Sequence, residues 1–169
     1  MLVSSLNNNW YTLKRSDAAI IIVMTTITDS MRKKLETIEK SASVQEAAKK
    51  MTDKNVSSLI VVGPDGKPQG LVTERDLVRK VCLNDLRTSL VTNEQIMSSP
   101  LITIDSKSSP SVAADMMLQY NVRHLLVIDK SDENKPIGIV TPLDFTRCQE
   151  YPNDEVSKDA VEKILEYYI

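Results

Sequence analysis

The sequence predicts an α+β fold in which two tandem β-α-β-β-α repeats, related by a pseudo-twofold axis, are followed by a C-terminal helix. Three observations predict it: a block of residues that recurs at nearly fixed spacing, short apolar runs bounded by turn residues, and helix-start signals written twice. At a spacing of 66 residues, Met31 recurs as Met97, Thr37 and Ile38 as Thr103 and Ile104, and Ser43 as Ser109. Ala47, Ala48 and Met51 recur as Ala113, Ala114 and Met117, and Asn55, Val56, Leu59 and Val61 as Asn121, Val122, Leu125 and Val127. Two extra residues in the second copy move the spacing to 68, at which Pro68, Gly70, Val72, Thr73 and Asp76 recur as Pro136, Gly138, Val140, Thr141 and Asp144. Sixteen identities at two spacings make the chain two copies of one unit.

Residues 1–26, with the polar run Asn7–Asn9, read as an N-terminal arm. The first repeat spans residues 27–86. Thr37 and Ile38 form a short strand; Ser43 then stands three residues before Glu46, a capping box that starts a helix with Val44, Ala47, Ala48 and Met51 on its core face. Asn55 suits the left-handed residue that ends such a helix. The apolar run Leu59–Val62 is too short for a helix and, across the turn residues Gly63–Gly66, pairs with Gln69–Val72 as a hairpin. A second helix starts at Thr73. The second repeat, residues 87–150, follows the same order. Ser109–Pro110 and Thr141–Pro142 each place a capping residue before a proline, whose missing N–H has no partner at the first helical position. Residues 151–169 end the chain as an amphipathic helix, with Val156, Ala160, Ile164 and Tyr168 four apart. A repeat of about 60 residues is marginal alone. Two copies packed sheet to sheet remedy that and create two equivalent clefts.

The 169 residues carry 21 basic and 23 acidic side chains, a net charge of −2, with 41% hydrophobic and 26% charged residues. These proportions are those of a globular chain. A pI near 5.5 leaves no basic footprint for nucleic acid or an anionic bilayer. The apolar run Ala18–Met24 is far short of the roughly 20 residues a membrane span needs. At the start of the chain, Lys14 and Arg15 come late and the following apolar stretch is short, so no secretory signal is read and a cytoplasmic location is expected. Cys82 and Cys148 have no metal-ligand spacing and are expected to be free, buried thiols.

The segments Gly70–Asp76 and Gly138–Asp144 stand where a strand hands over to a helix. Glycine there lets a planar group approach the backbone, threonine caps the helix or faces a ligand, and first-turn N–H groups favour anions. An aspartate offers two acceptor oxygens, which match the adjacent hydroxyls of an unmodified ribose and would repel a 2′-phosphate. The pairs Thr73 with Asp76 and Thr141 with Asp144 also read as capping boxes with Asp in place of Glu. Spacing leaves both readings open, and recurrence in both copies favours the ligand.

From about Thr28 to Cys148 the chain resembles the cystathionine-β-synthase (CBS) domain pair, or Bateman module, of the stand-alone type found in archaea and bacteria. The resemblance rests on the doubled G-h-h-T-x-x-D segment, on Asp29-Ser30-Met31 and Gln95-Ile96-Met97 before the first strands, and on Asn121-Val122-Arg123-His124-Leu125 before the second hairpin. It implies that adenosine nucleotides (AMP, ADP or ATP) or related adenosyl ligands bind the clefts. The base would lie near Thr37 and Ile38, or Thr103 and Ile104, with the ribose on Asp76 or Asp144. It also implies regulation rather than catalysis, and a homodimer.

The copies differ where phosphates would lie: Arg123 and His124 replace Ser57 and Ser58, and Leu143 replaces Arg75. In such families the Arg-His strand faces the nucleotide held by the other copy's aspartate. The resemblance therefore implies a phosphate-competent cleft of Thr73, Arg75, Asp76, Arg123 and His124, and a poorer one with Thr141 and Asp144. His124, the single histidine, reads either as packing or as a pH-sensitive phosphate contact. The run Arg32–Lys34 reads as a solvated face, and Tyr167 with Tyr168 as an interface anchor or a helix end.

The leading functional reading is an adenine-nucleotide sensor whose output passes through an unidentified effector protein or oligomer state, since no effector domain lies outside the pair. Ligand binding would stabilise one relative orientation of the copies by its differential affinity. Alternatives are a structural or dimerisation module with degenerate clefts, and a sensor of S-adenosylmethionine or a dinucleotide. An enzyme such as a nucleotide hydrolase lacks a P-loop, a metal cluster and a histidine beside a nucleophile.

Overall fold

Each repeat closes a three-stranded sheet around its most apolar run. The computed structural model describes residues 2–6, 9–16, 19–22, 26–133, 135–145 and 162–166. The first elements are β1 (Leu2–Leu6), β2 (Asn9–Ser16), β3 (Ala19–Ile22) and α1 (Ile27–Ser30). The first repeat contributes β4 (Thr37–Glu39), α2 (Val44–Lys54), β5 (Ser58–Val62), β6 (Pro68–Thr73) and α3 (Glu74–Asp76), which runs on into a π-helical segment, Leu77–Cys82. After α4 (Asn93–Ile96), the second repeat contributes β7 (Thr103–Asp105), α5 (Pro110–Tyr120), β8 (Leu125–Asp129), β9 (Lys135–Val140) and α6 (Pro142–Phe145). The α+β class and the tandem repeat are as the sequence predicts.

The two repeat sheets have the same construction. β5 lies between β4, to which it is parallel, and β6, to which it is antiparallel; β8 lies likewise between β7 and β9. Ser43 and Ser109 cap their helices as the spacing predicts, accepting hydrogen bonds from the Glu46 and Val112 amides. Asn55 and Asn121 end them at φ 52° and 51°, in the left-handed conformation that asparagine tolerates better than most residues. Val44, Ala47 and Met51 pack on Leu59, Val61 and Val72, and Ala113, Ala114 and Met117 pack on Leu125, Val127 and Val140, as the helix periods predict; Ala48, read with the first face, is only half-buried, at its margin.

By contact the chain divides into a continuous unit, Lys34–Leu101, and a split unit, Met1–Lys33 with Ile102–Ile169. The reason lies at the free edges of the sheets. Thr92 caps α4, and Ser98 after it bridges antiparallel to Leu71 on β6. Thr26 caps α1, and Arg32 bridges in the same way to Ile139 on β9. Each edge strand is thereby covered by the segment that precedes the other repeat's first strand, which removes unpaired N–H and C=O groups from the edge.

Three features differ from the sequence reading. The segment read as an arm contains three strands paired antiparallel in the order β1-β2-β3. The second helix of the first repeat is mostly π-helical, with Val81 buried and Val78 outward. Cys82, expected to be buried, is exposed beside the solvent-facing residues 83–90. Residues 162–166 are helical and Ile164 joins the core of the split unit; Cys148, Val156, Ala160, Tyr167 and Tyr168 lie outside the described residues. No helix among the described residues is long and apolar enough to cross a membrane.

Candidate functional site

The recurring segments Gly70–Asp76 and Gly138–Asp144 each form the end of an edge strand and the first turn of a helix. In the continuous unit, Thr73 leaves β6 in extended conformation and caps α3. The Asp76 amide donates to Thr73 Oγ1 at 3.2 Å. In return, Asp76 Oδ2 accepts the Thr73 amide at 3.0 Å and its hydroxyl at 2.6 Å. Asp76 Oδ1 meets Lys80 Nζ at 2.8 Å, one turn further on. The Asp76 side chain keeps 12% exposure and that of Lys80 41%.

The split unit repeats the cap with another cation. Asp144 Oδ2 accepts the Thr141 amide at 2.9 Å and its hydroxyl at 2.8 Å. Asp144 Oδ1 accepts from Arg32 Nε at 3.2 Å, and the Asp144 side chain has no solvent exposure. Capping thus occupies one oxygen of each motif carboxylate, and a cation meets the other. Arg32, read from sequence as part of a solvated run, belongs to this arrangement; Lys33 and Lys34 are exposed. Lys80 was detectable from its i,i+4 spacing to Asp76, whereas Arg32 and Asp144 are 112 residues apart and no local signal joins them.

The motif glycines are explained by packing. A Cβ at Gly70 would fall 2.5 Å from Met97 Sδ and 3.0 Å from the Ser98 carbonyl oxygen. At Gly138 it would fall 2.5 Å from Met31 Sδ and 2.8 Å from the Arg32 carbonyl oxygen. The recurring methionine therefore lies over the recurring glycine in both units. The sequence reading, which assigned the glycines to ligand approach, did not contain this requirement.

Register places the remaining candidates. Thr37 pairs with Ile60, and Ile60 with Leu71, so the start of β4 and the Thr73 end of β6 share one end of the sheet. Thr37 is level with Leu71, two strand spacings or about 10 Å away, and Thr73 stands two residues further along β6. Thr103 and Thr141 hold the same relation across Leu126 and Ile139. Arg123 and His124, partly buried, precede β8 at that end of the split unit's sheet; Arg75 is exposed beside Asp76 in the continuous unit. Ile38 and Ile104 are buried in their cores.

Thr37, Ile38, Glu39, Ala42, Glu46 and Lys50 line a groove of about 330 Å³ in the continuous unit. Lys50 Nζ donates to the Thr37 carbonyl oxygen at 2.6 Å. The Ser43 amide and hydroxyl donate to Glu46 and hold its carboxyl below the ordinary carboxylate value. Glu36, beside the groove, is lowered by its hydrogen bond from Lys34. Among the described residues no group of three or more His, Cys, Asp and Glu is placed to hold a metal ion.

The family model of the CBS domain matches residues 25–82 and again 94–150. Over 106 residues the chain is 35% identical to an uncharacterized protein of Methanopyrus kandleri, covering 63% of this chain and 53% of that protein. The chain spans about half the length of the curated relatives it matches. The crystal structure of an uncharacterized conserved protein from Pyrococcus horikoshii superposes with a TM-score of 0.68 at 29% identity, covering 77% of this chain and 96% of that one. A hexameric CBS-CP12 protein from bloom-forming cyanobacteria gives a TM-score of 0.70 at 25% identity, covering 85% and 84%.

Proposed function

From the premise that the chain belongs to the CBS domain family, a family of regulatory ligand-binding modules, we propose that it binds an adenosine nucleotide through the Asp76 carboxylate and reports it by partner binding or oligomer state. One observation carries this reading. Asp76 holds a partly exposed carboxylate at the β6–α3 junction, which lies at the same end of the sheet as the start of β4, where the groove residue Thr37 stands. A ribose on the carboxylate and a base at β4 would then share that end of the sheet. Asp144, fully buried, is the poorer site.

Calorimetric titration of AMP, ADP, ATP, NADH and S-adenosylmethionine against the wild type, Asp76→Ala and Asp144→Ala tests it. Asp76→Ala is expected to weaken the tightest adenosyl ligand tenfold or more, on the order of one charge-assisted hydrogen bond. Loss in Asp144→Ala with retention in Asp76→Ala would reverse the assignment of sites.

A second reading, a ligand-free structural module, is favoured by one observation: both motif carboxylates already have a cap and a cation within their own unit. Silence of all five ligands would select it. A homodimer is part of the proposal, supported by the exposed Val78, Leu83 and Leu90 and by the hexameric state of the related CBS-CP12 protein. The free Cys82 thiol fits a reducing cytoplasm.

A further inference from the structure

We propose that Lys80 makes the Asp76 site selective for a phosphorylated nucleoside over a bare one. The inference rests on the adenosine reading and adds a direction of selectivity to it. Thr73 supplies two donors to Asp76 Oδ2, so an incoming diol must compete for Oδ1. Oδ1 carries the Lys80 ammonium at 2.8 Å. The same ammonium donates to the Ile96 carbonyl oxygen at 2.6 Å, so it keeps a partner when the carboxylate is taken. The lysine is the exposed partner of this i,i+4 pair, at 41%, and its head moves on a flexible stem, so it gives way more readily than the carboxylate. A diol that takes Oδ1 therefore costs the ammonium its direct hydrogen bond to the carboxylate, although the carboxylate keeps its charge. A phosphate on the same ligand offers the ammonium a new charged acceptor, and a bare nucleoside does not.

The second copy lacks this device. The position equivalent to Lys80 is Cys148, and that equivalent to Arg32 is Ser98, so each copy has one cation of a different origin. Arg32 reaches Asp144 from the segment that covers β9, and the carboxylate it meets has no exposure. Displacing it would strand a buried charge, so this pair is fixed where the Lys80 pair is exchangeable.

Equilibrium binding of adenosine and of AMP to the full chain tests the proposal, using wild type, Lys80→Gln, Lys80→Arg and Arg32→Gln. Lys80→Gln is expected to bind adenosine up to about fivefold more tightly and AMP about tenfold more weakly. Lys80→Arg is expected to keep the wild-type order, and Arg32→Gln to keep the wild-type ratio of the two affinities. Opposite signs for the two ligands are what a purely structural lysine cannot produce. Shifts of the same sign, no shift, or an equal change of ratio in Arg32→Gln would overturn the role of Lys80 while leaving nucleotide binding intact. A wild type that binds neither ligand would overturn the adenosine reading and this inference together.

Discussion

Arg32 meets a carboxylate with no solvent exposure, whereas Lys80 meets one that keeps some exposure and already has a cap from Thr73, and this difference sets the size of each effect on folding. Truncation of Arg32 to alanine leaves Asp144 buried with its cap and without this cation; a loss of about 2–3 kcal/mol is expected, the arginine's partial exposure keeping it below a fully buried pair. Lys80→Ala should cost about 0.5 kcal/mol or less. Urea denaturation of the two variants measures both, and equal losses would contradict the account. Gly138 gives a second case. A Cβ there meets the Arg32 carbonyl oxygen at 2.8 Å, and backbone yields less readily than the Met31 thioether. Gly138→Ala should therefore destabilise by about 1–3 kcal/mol, with only partial recovery on adding Met31→Ala. Neither residue's role was legible in the sequence. Met31 and Gly138 recur as a pair with Met97 and Gly70, yet recurrence says nothing about which residue covers which.

The helices show where local chemistry suffices. Ser43, Glu46 and Asn55 announce α2 by hydrogen bonds and backbone preference that operate within three or four residues, so its bounds follow from sequence. Glu46 also gives α2 a pH dependence. Its folded carboxyl is held below the ordinary value of 4.5 by donation from Ser43. The stabilisation is therefore fully present above that value and is lost as pH falls through the lower folded value. Glu46→Gln should flatten the decline in melting temperature on the acid side relative to wild type; an unchanged acid limb would show that the cap is open in solution. The π-helical segment Leu77–Cys82 was not legible, because its apolar residues Leu77, Val78 and Val81 satisfy an ordinary helical period. The strands of residues 2–22 were missed because the sequence reading took the polar run for an irregular arm.

At the scale of the molecule, the duplication was the most legible feature, since sixteen identities fix the order of elements in both repeats. The division into units was not, because it depends on two short edge bridges, Ser98 to Leu71 and Arg32 to Ile139, that no periodicity encodes. The candidate site was legible to the level of residue type, Thr and Asp at a strand-to-helix junction; of the cations that meet those carboxylates, Lys80 is signalled by its i,i+4 spacing and Arg32 by nothing local. What unites these levels is the proposal that the Asp76 carboxylate accepts from the hydroxyls of a ribose. Comparing AMP with 2′-deoxy-AMP on wild type and Asp76→Ala tests it most directly. The account predicts that wild type prefers AMP by about tenfold and that the preference disappears in Asp76→Ala; a wild type indifferent to the 2′-hydroxyl, or a preference that survives the substitution, would contradict it.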